Sequence, residues 1–343
     1  SEAGLKNIDI TIEEKPTGEI SAGAGYGTEG GAFAFSVKEN NYLGKGLRVI
    51  ANMDVSGESV RGGFNIINPN YNYTGNKVYT GISTKKTDAA SSGYENTISN
   101  INIGTEFEQY RDIFLGGDFN FTVDDLTVDS TASKNLRDQA GTFSDLTFGY
   151  VVKSDKRNRR FMPTDGHVVS FRQNLPVIAD SQSITNILRY RTYHSFNENL
   201  VGALKIYGAA VNSINDDDVR LSKRKSLSTR RLRGFEKSKV GPVDGNDHIG
   251  GNYAAAVNFE TNLPNLLPEN YDTDISLFLD FGSVWGVDYD STIDESTDIR
   301  SSTGLAANWM SPIGPLSFVL AETISKADTD KTQGFSFQIG TTF

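Results

Sequence analysis

The chain has no cysteine and only three histidines and three methionines in 343 residues. Without cysteine there is no disulfide framework, no thiolate metal site and no cysteine nucleophile. His167, His194 and His248 are scattered, with no GxSxG elbow or serine motif beside them, so they read as surface residues. No catalytic constellation and no cofactor site is expected, and the chain does not read as an enzyme. Asp216-Asp217-Asp218 lacks the turn glycine and closing glutamate of a calcium loop, so it reads as a solvated charge run, and no metal site is expected. Positive charge is in deficit: the net charge is −10 and the isoelectric point about 4.9. That excludes a general nucleic-acid binder. No run approaches the ~20 apolar residues of a membrane helix, and the mean hydropathy is −0.38. Helical periodicity is hard to find anywhere. No secretory leader opens the chain, and Ser1-Glu2-Ala3-Gly4 reads as a mature or truncated start.

Glycine (34), phenylalanine (20) and tyrosine (14) are plentiful. They sit in runs of roughly ten residues that alternate apolar and polar and are separated by turn residues. A hydropathy scan misses such runs because they average to neutral. Leu5 to Lys15 alternates but is polar and closes at Pro16-Thr17-Gly18, so it reads as a soluble strand leading in, with the barrel starting near Gly18. Strands are then predicted to begin near Glu19, Ala32, Leu47, Val60, Val78, Thr97, Ile113, Gly141, His167, Ile184, Leu200, Asn252, Thr273, Ile299, Pro315 and Gln333. That is about sixteen, an even number, which brings both ends of a barrel to one side of a membrane.

The connections fall into two kinds. Asn40–Gly46, Asn68–Asn76, Asn197–Asn199, Leu263–Tyr271 and Met310–Pro315 are short and carry Pro, Gly or Tyr. Asp124–Asp138, Asn215–Ile249, Asp288–Asp298 and Asp328–Lys331 form the acidic, longer set. Short turns on one rim against long loops on the other are the asymmetry of an outer-membrane barrel. The fold expected is therefore an all-β transmembrane antiparallel barrel rather than a soluble sandwich or propeller. The basic run Lys153–Arg160 reads as a solvated turn.

Side chains alternate along a strand, so the faces can be separated residue by residue. Phe335, Phe337 and Ile339 share one face with Thr341 and Phe343; Ile275, Leu277, Leu279 and Phe281 share another, and Tyr253, Ala255, Val257 and Phe259 a third. Apolar faces must meet lipid, which turns Glu260 and Asp280 into the lumen. The loop Asn215–Ile249 carries Arg220–Arg231 (RLSKRKSLSTRR) and then Arg233-Gly234-Phe235. On a soluble surface such a run suggests an anionic ligand. Inside a barrel it would pin the loop. Arg233 is expected to meet Glu260 and Asp280, because a planar five-donor cation suits two carboxylates better than lysine does.

Leu232-Arg233-Gly234-Phe235 is similar to a [V/I]RG[F/Y] loop motif, with leucine in the first place as a departure. GYGTEGG (25–31), NNYLGKG (40–46), FMPTDG (161–166), GGNYAAA (250–256), FLDFGSVW (278–285) and NWMSPIGPL (308–316) accompany it. The end FQIGTTF (337–343) looks like a β-signal closing on an aromatic residue. Together these resemble the BamA family of outer-membrane β-barrel assembly factors, within the polypeptide-transporting barrel superfamily. The resemblance covers nearly the whole chain in order.

It implies a sixteen-strand barrel of the bacterial outer membrane that folds and inserts other barrels without ATP. Its partners would be unfolded outer-membrane proteins, outer-membrane lipids and lipopolysaccharide, and accessory assembly lipoproteins held through POTRA domains. Residues 1–17 would be the end of the last POTRA domain and its linker, and residues 18–343 the barrel. The alternatives are a related translocation barrel, serving autotransporter assembly or two-partner secretion, and a passive porin. Insertion would work through the seam between first and last strands, around Gly23, Gly25 and Gly27 on one side and Gln338, Ile339, Gly340 and Phe343 on the other. Three glycines on one face pack poorly and hold register weakly.

Overall fold

A strand that alternates apolar and polar residues can satisfy its backbone in lipid only if every edge is paired. The computed structural model shows that solution. It describes residues 11, 13, 15–89, 93–160, 162–215, 218–264, 266–268, 273–289, 292–293, 297–311 and 314–340. Of the leading strand expected over Leu5–Lys15 only Thr11, Glu13 and Lys15 are described, outside any strand, and the terminal Phe343 lies outside the described residues.

The first eight strands are β1 (Gly18–Gly27), β2 (Gly30–Tyr42), β3 (Leu47–Ser56), β4 (Ser59–Tyr71), β5 (Asn76–Ala89), β6 (Tyr94–Tyr110), β7 (Ile113–Val128) and β8 (Gly141–Asp155). Then come β9 (Gly166–Ala179), β10 (Ser183–Asn197), β11 (Leu200–Ser213), the two-residue strands β12 (Val243–Asp244) and β13 (Asp247–His248), and β14 (Tyr253–Asn262). The last four are β15 (Thr273–Trp285), β16 (Arg300–Ser311), β17 (Gly314–Ser325) and β18 (Phe335–Gly340). All but β12 and β13 close one antiparallel barrel of sixteen strands, in chain order, with β18 against β1. Every predicted strand start falls within three residues of the observed one.

Because the count is even, β1 begins and β18 ends at the same rim, here the terminal rim. The loop asymmetry holds in part: the far-rim connections 129–140, 214–252 and 286–299 are long, but others on that rim are short. On the far rim, residues 28–29 and 57–58 are two-residue turns. The ten-residue connection 156–165 lies on the terminal rim. It is held by Arg157, whose Nε and Nη2 each donate to Asp155 at 2.8 Å. The turn at 43–46 uses left-handed backbone at Leu43 (φ 55°) and at Gly44 (φ 69°) and Gly46 (φ 67°), where glycine carries no Cβ penalty.

The outward faces form the belt. Phe64, Ile82, Ile101 and Phe121 are successive partners in one row, with Ile82 and Ile101 55% and 56% exposed. A soluble protein would bury such a row; hydrocarbon accepts it. The core lies inside the barrel instead. One cluster joins Leu227, Leu232, Phe235 and Val240 of the 214–252 loop to Ala254, Ala256 and Val284 of the wall. A second, beneath the far-rim loops, joins Leu126, Leu136, Leu221, Ile249 and Val287. Leu136 comes from a single-turn helix, α1 (Lys134–Arg137), whose N-cap Ser133 Oγ accepts from the Leu136 amide at 3.1 Å.

Candidate functional site

The 214–252 loop folds into the lumen because its wall offers carboxylates where the loop offers cations. Asp280 on β15 and Glu260 on β14 are in the inward registers of their strands, as alternation requires. Arg233 Nε donates to Asp280 Oδ2 and Nη2 to Oδ1, both at 2.7 Å. Its backbone N–H adds a third contact to Asp280 Oδ2 at 3.1 Å, and Nη1 lies 2.9 Å from Glu260 Oε1. The guanidinium stacks 3.8 Å above the inward-facing Phe278 ring. Asp280 is 0% exposed. Burial alone would lower the pKa of Arg233, but the two carboxylates outweigh it and hold it above the ordinary value. Glu260 is shared with Lys205 of β11.

Gly234 and Phe235 complete the anchor. Gly234 has φ +85°, and a Cβ there would press on Ala321 and Ser302 at 3.2 Å. Its carbonyl accepts from Gln333 N–H at 2.9 Å and Thr323 Oγ1 at 3.2 Å, and Ser302 Oγ donates to the Arg233 carbonyl. Phe235 is buried and forms an isolated antiparallel bridge with Thr332. The five residues singled out from the sequence for this anchor are thus gathered at one point of the wall.

A second anchor lies across the lumen, and its wall residues were not legible as such. Arg220 Nη2 donates to Asp145 Oδ2 of β8 at 2.6 Å, and its Nε is 3.5 Å from Asp124 Oδ2 of β7. Lys223 Nζ lies 2.8 Å from Asp145, Ser222 Oγ donates to Asp124, and Arg220 stacks on Phe143 at 4.3 Å. Sequence reading put Asp124 at the start of a loop, whereas β7 runs to Val128. Strands that rise above the belt carry charge and read as loops; only their unbroken alternation betrays them. Two further cations of the basic run stack on aromatic rings: Arg224 on Tyr289 at 4.5 Å, and Arg231 on Tyr207 at 3.4 Å. Burial, with Lys223 nearby, pushes Lys225 down to about 8.

Among the described residues, the seam is the barrel's shortest ladder. β1 makes ten register pairs with β2, but the described residues give only three with β18: Gly25 with Gly340, Tyr26 with Ile339 and Gly27 with Gln338. Gly23 is paired only with Ala34 of β2 among the described residues. Gly340 has φ +121°, and a Cβ there would collide with the Ala24 carbonyl and Gly25 Cα. A Cβ on Gly27 would collide with the Phe337 carbonyl.

The lumen loop spans this seam. Toward β18, Phe235 bridges Thr332, Glu236 N–H donates to the Lys331 carbonyl at 3.0 Å, and Lys331 N–H returns to Lys239 at 3.1 Å. Toward β1, Lys237 Nζ lies 2.7 Å from Glu58 and 3.7 Å from Glu29, in the two-residue far-rim turns. Thr229 Oγ1 donates to Glu29 at 2.8 Å.

Residues 41–343 match the model of the Omp85 superfamily domain. The chain is 25% identical over 361 residues to the outer membrane protein assembly factor BamA of Neorickettsia risticii, covering 98% of this chain and 46% of that protein. It is 23% identical over 400 residues to BamA of Neisseria meningitidis serogroup B, covering 98% and 48%. The chain thus spans less than half the length of these relatives. Among solved structures, BamA from Haemophilus ducreyi lacking POTRA domains 1–3 superimposes with a TM-score of 0.89 at 22% identity, covering 97% of this chain and 71% of that one. CdiB from Acinetobacter baumannii superimposes with a TM-score of 0.58 at 14% identity, covering 94% and 59%.

Proposed function

We propose, because the chain belongs to the Omp85 superfamily, that it is the barrel of an outer-membrane protein assembly factor. It is an integral barrel of the bacterial outer membrane. Its substrates are unfolded β-barrel proteins, which it helps to fold and insert without making or breaking a covalent bond. Insertion proceeds at the β1–β18 seam, and accessory lipoproteins work with the parent protein through parts outside this chain.

The observation that supports this reading is the unequal pairing of β1. One edge is zipped along its whole length to β2, while the other is held by three described pairs that are built around glycine. Unpaired backbone in lipid costs several kcal/mol per group. An edge that opens must therefore be paired again, and an incoming strand with its own alternating pattern pairs by β-augmentation. Bilayer thinned beside a glycine-broken seam lowers the barrier further.

The chain has no native cysteine, so Tyr26→Cys with Ile339→Cys, a register pair, tests the seam cleanly. The full-length protein is reconstituted in vesicles and insertion of a second barrel is followed with the pair oxidised and reduced. Oxidation is expected to stop insertion and reduction to restore it. Insertion at full rate through a locked seam would remove the proposal.

A further inference from the structure

A hydrogen-bonded polar cluster breaks the belt on the wall opposite the seam. Tyr150 of β8, Gln173 of β9 and Asn186 of β10 are successive partners in one row. All three stand on the outward register, because their chain neighbours Gly149, Arg172 and Asn174 share the inward face with Asp118. The Tyr150 hydroxyl donates to Gln173 Oε1 at 3.1 Å, and Gln173 Nε2 donates to Asn186 Oδ1 at 2.6 Å. The chain of bonds ends there. The Asn186 NH2 group has no acceptor among the described residues.

The depth of this group follows from the register. The row runs Val78, Thr105, Gly117, Tyr150, Gln173, Asn186, Ala210, Tyr253, Trp285, one residue from each of nine neighbouring strands. Val78 is the third residue of β5, by the terminal rim, and Trp285 is the last residue of β15, at the far rim. Strand tilt carries the row from one rim to the other, and Gln173 is its fifth member, midway. Val169 and Phe171 lie below it on β9, Leu175 and Ile178 above. Amide donors at mid-depth face hydrocarbon, where nothing accepts their hydrogen bonds.

We propose that this patch is a contact between two copies of the barrel within the membrane. A closed symmetric pair of copies inserted in the same direction has its two-fold axis along the membrane normal. Residues on such an axis meet themselves at equal depth. Carboxamides suit that meeting because each carries both donor and acceptor, whereas a carboxylate or guanidinium would repel its copy. The wall beside them is low enough for approach. Asn186 is paired with Ala210 and Leu188 with Gly208, and a Cβ built on Gly208 meets nothing. β9 is separated from β1 by seven strands (β2–β8) and from β18 by six (β10, β11, β14–β17). A pair joined here stands back to back, with both seams facing free lipid. The inference does not rest on the insertion reading.

Single cysteines test it in the full-length protein at high dilution in lipid vesicles. Leu188→Cys borders the amides and leaves them intact; Ile82→Cys is an equally lipid-facing site on β5. Disulfide dimers are expected at least about tenfold more readily from position 188, an advantage of about 1.4 kcal/mol. Adding Gln173→Leu and Asn186→Leu should abolish the difference, and both changes make the lipid face more apolar, so folding should survive. Should that variant fail to fold, subunit counting by photobleaching of the unaltered protein decides, with two copies per spot supporting the contact and one refuting it. Equal cross-linking from 188 and 82 refutes it too, as would cross-linking in native membranes to a different protein alone.

Discussion

At the scale of single residues, the weight of the lumen anchor falls on Arg233. Its partner Asp280 is fully buried, so removing the cation leaves a carboxylate with neither water nor countercharge. Arg233→Ala should cost about 3–5 kcal/mol of local stability, the range for breaking one side of a sheltered pair. Arg233→Lys should recover only part of it. Lysine restores charge but cannot span both Asp280 oxygens and Glu260 while lying flat on Phe278. Protease sensitivity of the 214–252 loop in folded protein is the measurement. Equal protection of the Lys and Arg forms would show that charge alone holds the loop. Arg233, Glu260 and Asp280 were legible in the sequence because alternation fixes which way each strand residue points. What alternation cannot show is which inward residues are buried. Ser276 and Ser302 are inward and almost fully buried beneath the loop, whereas inward Ser83 on β5 stays partly exposed.

At the scale of elements, the strands were legible almost to their ends, since a period of two broken by turn residues survives without knowledge of partners. The small β12–β13 hairpin and α1 were not. They are short, lie inside loops, and are fixed by burial against the lumen rather than by pattern. The two faces of β5 give a direct check. Ile82→Arg places a cation in the belt and should cost roughly 2–4 kcal/mol near mid-depth, while Ser83→Arg, one residue on, turns into the lumen and should cost much less. Denaturant unfolding in lipid or detergent measures both, and equal losses would invert the faces. The seam gives another. Gly340→Ala combines a left-handed backbone with a collision against Ala24 and Gly25, and should destabilise β1–β18 pairing by about 1–3 kcal/mol. Gly62→Ala, where the added methyl meets nothing, should leave stability unchanged. Slower oxidation of a cysteine pair at positions 26 and 339 in the Gly340 variant is the expected sign.

At the scale of the whole molecule, the filling of the lumen is lopsided. The loop packs on β14–β18 through buried apolar groups, backbone bridges and the Arg233 pair, while toward β1–β4 Lys237 and Thr229 reach exposed glutamates. Salt separates the two. Screening shortens from about 10 Å at 0.1 M to about 3 Å at 1 M, and acts on exposed pairs far more than on buried ones. Raising salt should therefore loosen the β1–β2 hairpin without releasing the loop from Asp280. Hydrogen exchange of β1 amides should rise with salt, and Lys237→Met should give the fast rate at every salt concentration. An unaltered salt response in that variant would rule the tie out.

The loop is thus sewn into one jamb of the seam and merely tacked to the other. If insertion runs through this seam as proposed, the leaf that swings is β1 with its hairpin partner, and the frame is β14–β18 with the plug attached. On that proposal an incoming strand would meet a movable template on one hand and a fixed stop on the other. The two sides of such a doorway could not exchange roles, so traffic through it would have a built-in handedness.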